Sequence, residues 1–378
     1  MVNHLPLPAG PFAPGMVDVL LDYKKDAPFL RLYYPTNEKP NPEKWISWLP
    51  DDDYLTGLAK VIMVYKCFLK LLLWWSGNIK IPAIYGAKPK TDEPLKCIIL
   101  SHGLGGTRFL YTNICCELAS RGFLIAALEH RDQSACHTFY YSTKADAEAD
   151  KKTSIDFRHI KFGRNHYTKR NEQIKLKFDE CSKTLDFLLE LQQGIVPSNI
   201  MDATANHTNI QFNLNQLKGN LDVSNVCIMG HSFGGATALY ALSKRKELKL
   251  GILLDPWMFP IKNEALDIEQ PLLFINTQTF HIAPNVDAMA KFVAHENAEM
   301  YTIRHTTHEN QTDSVLLMGY WLNWFMKKLN PLLALKINNS LILKFLNKHI
   351  AYKNIEDCIE ILEKEKFNID EGLTQPWA

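Results

Sequence analysis

The sequence has 378 residues, of which 46% are hydrophobic, enough for the core of one large α/β domain or two average ones. Its formal net charge of +1 provides no strong positive field, so nucleic acid is not expected as a partner. Eight cysteines without a C-x-x-C pair argue against a zinc site or a disulfide framework.

The predicted strands are short apolar runs bounded by polar or glycine-containing segments. They comprise residues 16–23, 29–34, 95–100, 123–128, 226–229, 251–254, 272–275 and 300–304. Helical spacing of apolar residues is clearest from Ile174 to Gln192, with Gly194 as the expected end. This alternation predicts an α/β fold, with one mainly parallel central sheet and helices on both faces. Because no linker or repeat divides the chain, residues 1–378 are predicted to form a single domain with a helical C-terminal tail over about 340–378.

A helix over about 58–75 is predicted to contact lipid. The segment is apolar except for its lysines, which make a membrane-spanning helix a poor interpretation. It would instead lie in the membrane interface, with Trp74 and Trp75 at one end. An ordinary helix packed against the core explains the same pattern equally well. Residues 1–15 contain no apolar signal segment, so the protein is expected to be cytoplasmic, with peripheral membrane association through this helix.

The stretch Gly230-His-Ser-Phe-Gly234 matches the pattern G-x-S-x-G in the context that this pattern requires. A β-favouring run precedes it and a helix-favouring run follows it. The order of strand, sharp turn and helix is that of the nucleophile elbow of an α/β-hydrolase. Ser232 is therefore the predicted nucleophile. Glycine is needed on both sides because larger side chains would collide with the strained turn.

A serine hydroxyl attacks efficiently only when a base takes its proton, and in this fold an acid and a histidine follow the serine along the chain. Asp255 comes directly after the strand 251–254, at the edge of the sheet where ligands bind in open α/β folds. It is the predicted acid, although an aspartate before Pro256 is also a common turn residue. Asp267, in a polar loop without a preceding strand, is the alternative.

Two histidines follow the strand 300–304, and one of them is expected to be the base. His308 is preferred because it lies further into the loop, from which its imidazole can reach the serine. His305 continues directly from the strand and would be held by it. His281 and His295 do not follow a strand end as closely and are weaker alternatives.

The negative charge of an acyl-transfer transition state requires backbone N–H donors. Phe233, the residue after the nucleophile, is predicted to supply one of them. The glycine-rich segment 102–106 (HGLGG) resembles the HGGG-type motif of esterases, and Leu104 is predicted to supply the other. The alternative interpretation is a strand-to-helix turn without a ligand.

A second group of polar residues, His130-Arg-Asp132 and His137, could suggest a metal cluster. The spacing does not match that of known metal ligands, so neither a metal nor another cofactor is expected. These residues are predicted to brace the loops around the site instead.

Beyond these local patterns, the chain resembles the platelet-activating factor acetylhydrolases of the plasma and intracellular type II group. The resemblance runs from about residue 10 to 350 and is carried by Ser101-His-Gly-Leu-Gly, Leu118-Ala-Ser-Arg-Gly-Phe, Glu129-His-Arg-Asp, Gly230-His-Ser-Phe-Gly-Gly-Ala-Thr-Ala and Leu254-Asp-Pro-Trp-Met-Phe-Pro. It implies calcium-independent hydrolysis of the sn-2 acyl ester of phospholipids with short or oxidised acyl chains. It also implies the same site residues: Ser232, Asp255, His308, Leu104 and Phe233.

Three positions depart from the pattern of that family. Pro256 replaces an expected alanine, His305 replaces an expected glycine, and valine rather than glycine follows Met1, which removes the myristoylation signal. A phospholipid substrate is the expected partner, and the sequence does not indicate an oligomeric state. A broader lipase or carboxylesterase on the same fold, and a catalytically silent lipid-binding protein, are the two alternatives.

Overall fold

The computed structural model describes residues 3–76, 78–204, 210–319, 327–350 and 352–374. The strands are β1 (Ala13–Leu20), β2 (Phe29–Thr36), β3 (Trp45–Ser47), β4 (Lys80–Tyr85), β5 (Leu95–Ser101), β6 (Phe123–Leu128), β7 (His137–Tyr140), β8 (Thr153–Asp156), β9 (Leu221–His231), β10 (Leu248–Leu254), β11 (Leu272–Thr277), β12 (Ala298–Ile303) and β13 (Ile369–Glu371). The helices are α1 (Asp52–Val61), α2 (Lys66–Ser76), α3 (Thr112–Ser120), α4 (Lys144–Glu148), α5 (His166–Gln193), α6 (Phe233–Lys244), α7 (Ala283–Val293), α8 (Ser314–Met318), α9 (Pro331–Ile350) and α10 (Glu356–Lys364).

Within the described residues, the main sheet has eleven strands in the order β13-β12-β11-β10-β9-β5-β6-β2-β1-β4-β3. Strands β12, β11, β10, β9, β5 and β6 run parallel to one another. Antiparallel strands flank this block, with β13 beside β12 and β2 beside β6. The mainly parallel α/β sheet predicted from the sequence is confirmed. Its parallel strands bring their carboxyl ends to one edge, where the loops after β5, β9, β10 and β12 meet.

Helices cover both faces of this sheet, and the strand β6 shows why. Phe123, Ile125 and Ala127 point to one face, where α3 and α9 lie. The alternate residues Leu124, Ala126 and Leu128 point to the other face and join a core with α5 and α6. All of these side chains are buried. A continuous apolar run is what a strand needs when both of its faces are covered.

Several predicted boundaries were wrong where polar residues enter regular structure. Helix α5 begins at His166 rather than near Ile174, because its first turns are polar and carry little apolar periodicity. The C-terminal tail is not all helical: after α9 and α10 the strand β13 pairs with β12. Its sequence, Ile369-Asp-Glu371, joins the sheet through backbone pairing, which composition does not reveal.

The single helix predicted over 58–75 is two helices, α1 and α2. Met63 in the turn between them has a φ of 55°, which cannot continue a right-handed helix. The side chains of Trp74 and Trp75 lie outside the described part of the chain. No helix of the described residues is long and apolar enough to cross a membrane.

Candidate active site

The tight turn between β9 and α6 positions the predicted nucleophile. Ser232 is the single residue between them and has φ 54° and ψ −115°, in the left-handed half of conformational space. A Cβ atom on Gly230 would lie 2.1 Å from the carbonyl oxygen of Gly234. One on Gly234 would lie 2.0 Å from the carbonyl oxygen of Ser101. Only glycine fits at these two positions, as the sequence pattern predicts.

The predicted acid and base are in direct contact. His308 Nδ1 lies 2.8 Å from Asp255 Oδ2. Asp255 follows β10 directly and is fully buried, whereas the His308 side chain is 28% exposed. Burial raises the pKa of Asp255, while the hydrogen bonds from His308 and Thr277 lower it in part. With Asp255 ionised, His308 carries its proton on Nδ1 and leaves Nε2 with a lone pair.

The His308 imidazole lies between two aromatic rings beside the elbow. Its ring centroid is 4.4 Å from that of His231, the residue before the nucleophile, and 4.2 Å from that of Phe280, which stacks on it at 14°. Within the described residues, Ser232 Oγ makes no hydrogen bond to this imidazole. Ser232 and His308 therefore lie on neighbouring segments, and the hydrogen bond between them still has to form for catalysis. Catalytic hydrogen bonds of substrate-free enzymes often tighten only when the substrate binds.

The alternative acid and bases lie away from this pair. Asp267 is exposed on a loop, and His295 is exposed after α7. His281 is buried, with Nδ1 placed 3.1 Å from Thr302 Oγ1. His305 has a φ of 60°, and its backbone N–H donates to a glutamine side chain. In the described residues none of the four makes a hydrogen bond to Asp255 or Ser232.

The backbone N–H groups of Leu104 and Phe233, the two predicted oxyanion donors, have no acceptor among the described residues. Phe233 is the first residue of α6, so its N–H belongs to the free and partly positive end of a helix. The loop that bears Leu104 passes against the nucleophile, since a Cβ atom on Gly103 would lie 3.2 Å from Ser232 Cβ. Both predicted oxyanion donors are therefore beside Ser232 and free to donate.

Tyr111 links the two halves of the site and was missed by the sequence analysis. The Gly103 N–H donates to Tyr111 Oη at 2.9 Å, and the same oxygen lies 3.0 Å from His231 Nδ1. Because the hydroxyl accepts from Gly103, its proton is free to donate to His231. The link joins the Leu104 loop to the residue before Ser232. No signal in the sequence distinguishes this buried tyrosine from an ordinary core residue.

The group His130–Asp132 braces loops around the site. The Arg131 guanidinium donates to the carbonyl oxygens of Ala27 and Phe139, at 2.5 and 2.8 Å. The Asp132 carboxylate accepts from the backbone N–H and the hydroxyl of Ser134. These partners tie the turn after β6 to segments on either side of it.

One set of residues in the described chain has the spacing of metal ligands. The ligand atoms of His231, Asp255 and His308 all lie within 4.8 Å of one another. Asp255 and His308 are, however, bonded to each other, and Nδ1 of His231 faces the Tyr111 hydroxyl. A bound metal would have to break these contacts. The donor set is therefore better suited to proton transfer than to metal coordination.

A family model that matches the sequence agrees with the geometry of this site. The family model described as platelet-activating factor acetylhydrolase, isoform II, matches residues 2–366. The chain belongs to this family. It therefore belongs to a family of ester hydrolases, as its motifs predicted.

Several known proteins resemble this platelet-activating factor acetylhydrolase family member. The platelet-activating factor acetylhydrolase of Bos taurus is 34% identical, with 98% of this chain and 83% of the relative covered. That of Gallus gallus is 35% identical over 93% of this chain and 84% of its own. A putative phospholipase A2 of Schizosaccharomyces pombe is 24% identical, covering 87% and 85% of the two chains.

A solved structure supports the fold. The ferulic acid esterase from Streptomyces cinnamoneus superposes with a TM-score of 0.63, covering 92% of this chain and 93% of that one. The sequence identity is only 16%, so the likeness concerns the fold alone. The α/β-hydrolase fold predicted from the elbow motif is confirmed.

Proposed function

We propose that this protein is a calcium-independent serine esterase. It hydrolyses the sn-2 acetyl ester of platelet-activating factor, and related phospholipids with short or oxidised acyl chains, to lyso-phospholipid and a carboxylate. The observation that carries the proposal is the contact between His308 and Asp255 beside the strained Ser232 turn. It occurs in a chain that matches the family model over residues 2–366.

The reaction proceeds through an acyl-enzyme. Ser232 Oγ attacks the sn-2 carbonyl carbon while His308 Nε2 takes its proton. Asp255 holds the imidazole in the required tautomer and stabilises the imidazolium that forms. His308 then returns the proton to the departing lyso-phospholipid oxygen. Water, activated by the same imidazole, attacks the acyl-Ser232 ester and releases acetate.

The Leu104 and Phe233 N–H groups stabilise the oxyanion of each tetrahedral intermediate. Their lack of acceptors among the described residues supports this role, because a donor already bonded within the protein could not serve. Removal of one such donor typically costs about 10²–10³ in rate. The positive end of α6 adds to the stabilisation at Phe233.

The substrate is proposed to reach the active site from a lipid surface that the protein contacts. The turn between α1 and α2 and the start of α2 expose several large apolar side chains: Ile62, Met63, Val64, Tyr65, Phe68 and Leu71. Met63 is 83% exposed and Tyr65 78%. Such a patch is larger than isolated surface residues would produce and is typical of an interfacial contact. The opposite side of α2 packs through the buried Leu69 against α1, so core packing and exposure are both present.

This patch, which we call the α1–α2 patch, lies next to the active-site loop. A Cβ atom on Gly105 would lie 2.5 Å from Val61 Cγ1, at the end of α1. The Leu104 side chain, one residue earlier, is 37% exposed. A phospholipid that leaves a membrane at the patch would therefore enter beside the oxyanion donors.

The direct test is a hydrolysis panel of phosphocholine lipids that differ only in the sn-2 acyl chain, assayed with and without a chelator. Acetyl and other short esters should be turned over, palmitoyl esters should not, and chelator should change nothing. Comparable turnover of acetyl and palmitoyl esters would favour a broader lipase. Failure of a fluorophosphonate probe to label Ser232 would favour a silent lipid-binding protein.

A further inference from the structure

Lys177 in the middle of α5 is a fully buried cation close to the site. Its side chain is 0% exposed, and its Nζ donates a hydrogen bond of 2.6 Å to the carbonyl oxygen of His102. It occupies the same helix face as Ile174 and Cys181, which are core residues. An ammonium group loses much hydration energy on burial, so a lysine at such a position needs a specific compensating role.

This ammonium contacts both segments that carry the proposed oxyanion donors. The first contact, with His102, is at the start of the loop that leads to Leu104. The second is with Phe233, whose ring centroid lies 4.9 Å from Nζ. A cation over an aromatic face at this distance is attracted by the ring. Among the described residues, Lys177 therefore connects the loop that leads to Leu104 with Phe233.

The orientation of the Leu104 N–H follows from the hydrogen bonds of the preceding carbonyl. In a trans peptide the C=O and N–H groups point in opposite directions. The Gly103 carbonyl accepts from Gly106 N–H at 3.0 Å and faces His102 Nδ1 at 2.7 Å. Because these two contacts hold the carbonyl, the Leu104 N–H is held on the opposite side of the peptide. A flipped peptide would place a carbonyl oxygen where the oxyanion must form.

The tautomer of His102 is fixed by its surroundings. His102 Nε2 accepts the His130 backbone N–H at 3.0 Å, so Nδ1 must carry the proton that is donated to Gly103. Burial and the positive charge of Lys177 hold the pKa of His102 well below its usual range, which keeps the ring neutral. Lys177 thus acts on this loop through both the carbonyl and the imidazole of His102.

Other charged and titratable groups surround the lysine. They are Asp132, Glu180, Cys181, Arg170, His102 and His130. Among these neighbours the Asp132 carboxylate does most to raise the pKa of Lys177, although the two groups form no direct ion pair among the described residues. Burial nevertheless lowers the pKa of Lys177 to about 8.

We propose that Lys177 is a positioning residue for the oxyanion hole. It holds the Leu104 loop and Phe233 in a fixed position relative to each other, and it places a positive charge near the two donors. The inference rests on the proposed function, because it assigns Lys177 to the oxyanion hole of that reaction. It extends the site to a residue on the neighbouring helix that does not touch the substrate.

The test compares Lys177→Met, Lys177→Arg and, as a matched control on the same helix, the exposed Lys183→Met, with a soluble acetyl ester and with platelet-activating factor. Lys177→Met should lower kcat about 10²-fold, the loss typical of one oxyanion donor, with little change in KM. The wild-type kcat should fall as pH rises above about 8, where the ammonium loses its proton. Lys177→Arg should recover part of kcat and lose this alkaline decline, because arginine stays protonated. Lys183→Met should match the wild type.

Two results would overturn the inference. One is a folded Lys177→Met variant with wild-type kcat. The other is an alkaline decline that persists in Lys177→Arg, and it decides the question even if Lys177→Met does not fold. The proposed function fails separately, if the wild type does not hydrolyse platelet-activating factor or if Ser232→Ala still does. If the wild type hydrolyses the soluble ester but not platelet-activating factor, the comparison of the lysine variants on the soluble ester still tests the role of Lys177.

Discussion

Thr277 holds both oxygens of the Asp255 carboxylate. Its backbone N–H lies 2.6 Å from Oδ1, and its hydroxyl lies 2.6 Å from Oδ2, the oxygen that also faces His308. Thr277 ends β11 and Asp255 directly follows β10, the strand paired with it. The register of two parallel strands therefore fixes the direction in which the carboxylate faces the imidazole.

The first prediction concerns Thr277→Val, which removes the hydroxyl and keeps the shape. A hydrogen bond to a charged group contributes about 1.5–3 kcal/mol, so the carboxylate form of Asp255 should become harder to maintain. Burial already raises the pKa of Asp255, and this change should raise it further. The carboxylate is lost as pH falls through its pKa, so the acid limb of the kcat/KM profile should move to higher pH. Thr277→Ser should restore the wild-type limb, and an unchanged limb in Thr277→Val would contradict the prediction.

The second prediction concerns Asp255→Asn. An asparagine can donate to His308 Nδ1, which would stabilise the tautomer with its proton on Nε2 and leave no base for Ser232. We expect kcat to fall roughly 10⁴-fold with the fold intact. Initial rates on a soluble acetyl ester, together with thermal unfolding, provide the measurement. Asp267→Asn, at the exposed alternative acid, is the control and should behave like the wild type; the reverse pattern would assign the acid to Asp267.

The third prediction concerns Tyr111→Phe. The change removes the oxygen that accepts from Gly103 N–H and faces His231 Nδ1. The buried Gly103 N–H would lose its partner, at a cost of about 1–3 kcal/mol, and the Leu104 loop would lose its link to the elbow. We expect a lower kcat and a lower melting temperature. The nearby Tyr54→Phe, whose hydroxyl bonds Glu129 away from the elbow, should lower stability but retain kcat. Equal losses of kcat in both variants would count against the link.

The sequence points to the proposed reacting residues because their signals are local. Ser232 lies in a short motif whose glycines are required by the turn itself, and Asp255 and His308 each follow a recognisable strand. Thr277, Tyr111 and Lys177 carry no such signal, since their roles arise from contacts between segments far apart in the chain. Lys177 gives only a weak signal, because it is a charged residue at a position that helical spacing places on the buried face. The turn at Met63 was missed because an apolar run with helical propensity does not reveal where the helix breaks.

The fourth prediction concerns the α1–α2 patch. The double variant Met63→Ser/Phe68→Ser should weaken binding to phosphatidylcholine vesicles, because it removes exposed apolar area that would enter the membrane. Hydrolysis of a soluble acetyl ester should remain near that of the wild type, since neither residue belongs to the proposed catalytic machinery. Phe367→Ser, an exposed aromatic residue on the C-terminal segment, is the control. Equal vesicle binding by the wild type, the double variant and Phe367→Ser would show that the α1–α2 patch does not contact the membrane.

Ser232 as the nucleophile is tested by the initial rate of acetate release from platelet-activating factor by the wild type and by Ser232→Ala. We expect rapid release by the wild type and release at the uncatalysed background by the variant, with the same melting temperature for both. Ser232→Ala leaves His308 and Asp255 in place, so it isolates the attacking hydroxyl. A folded Ser232→Ala variant that still releases acetate at a measurable catalytic rate would contradict the proposal.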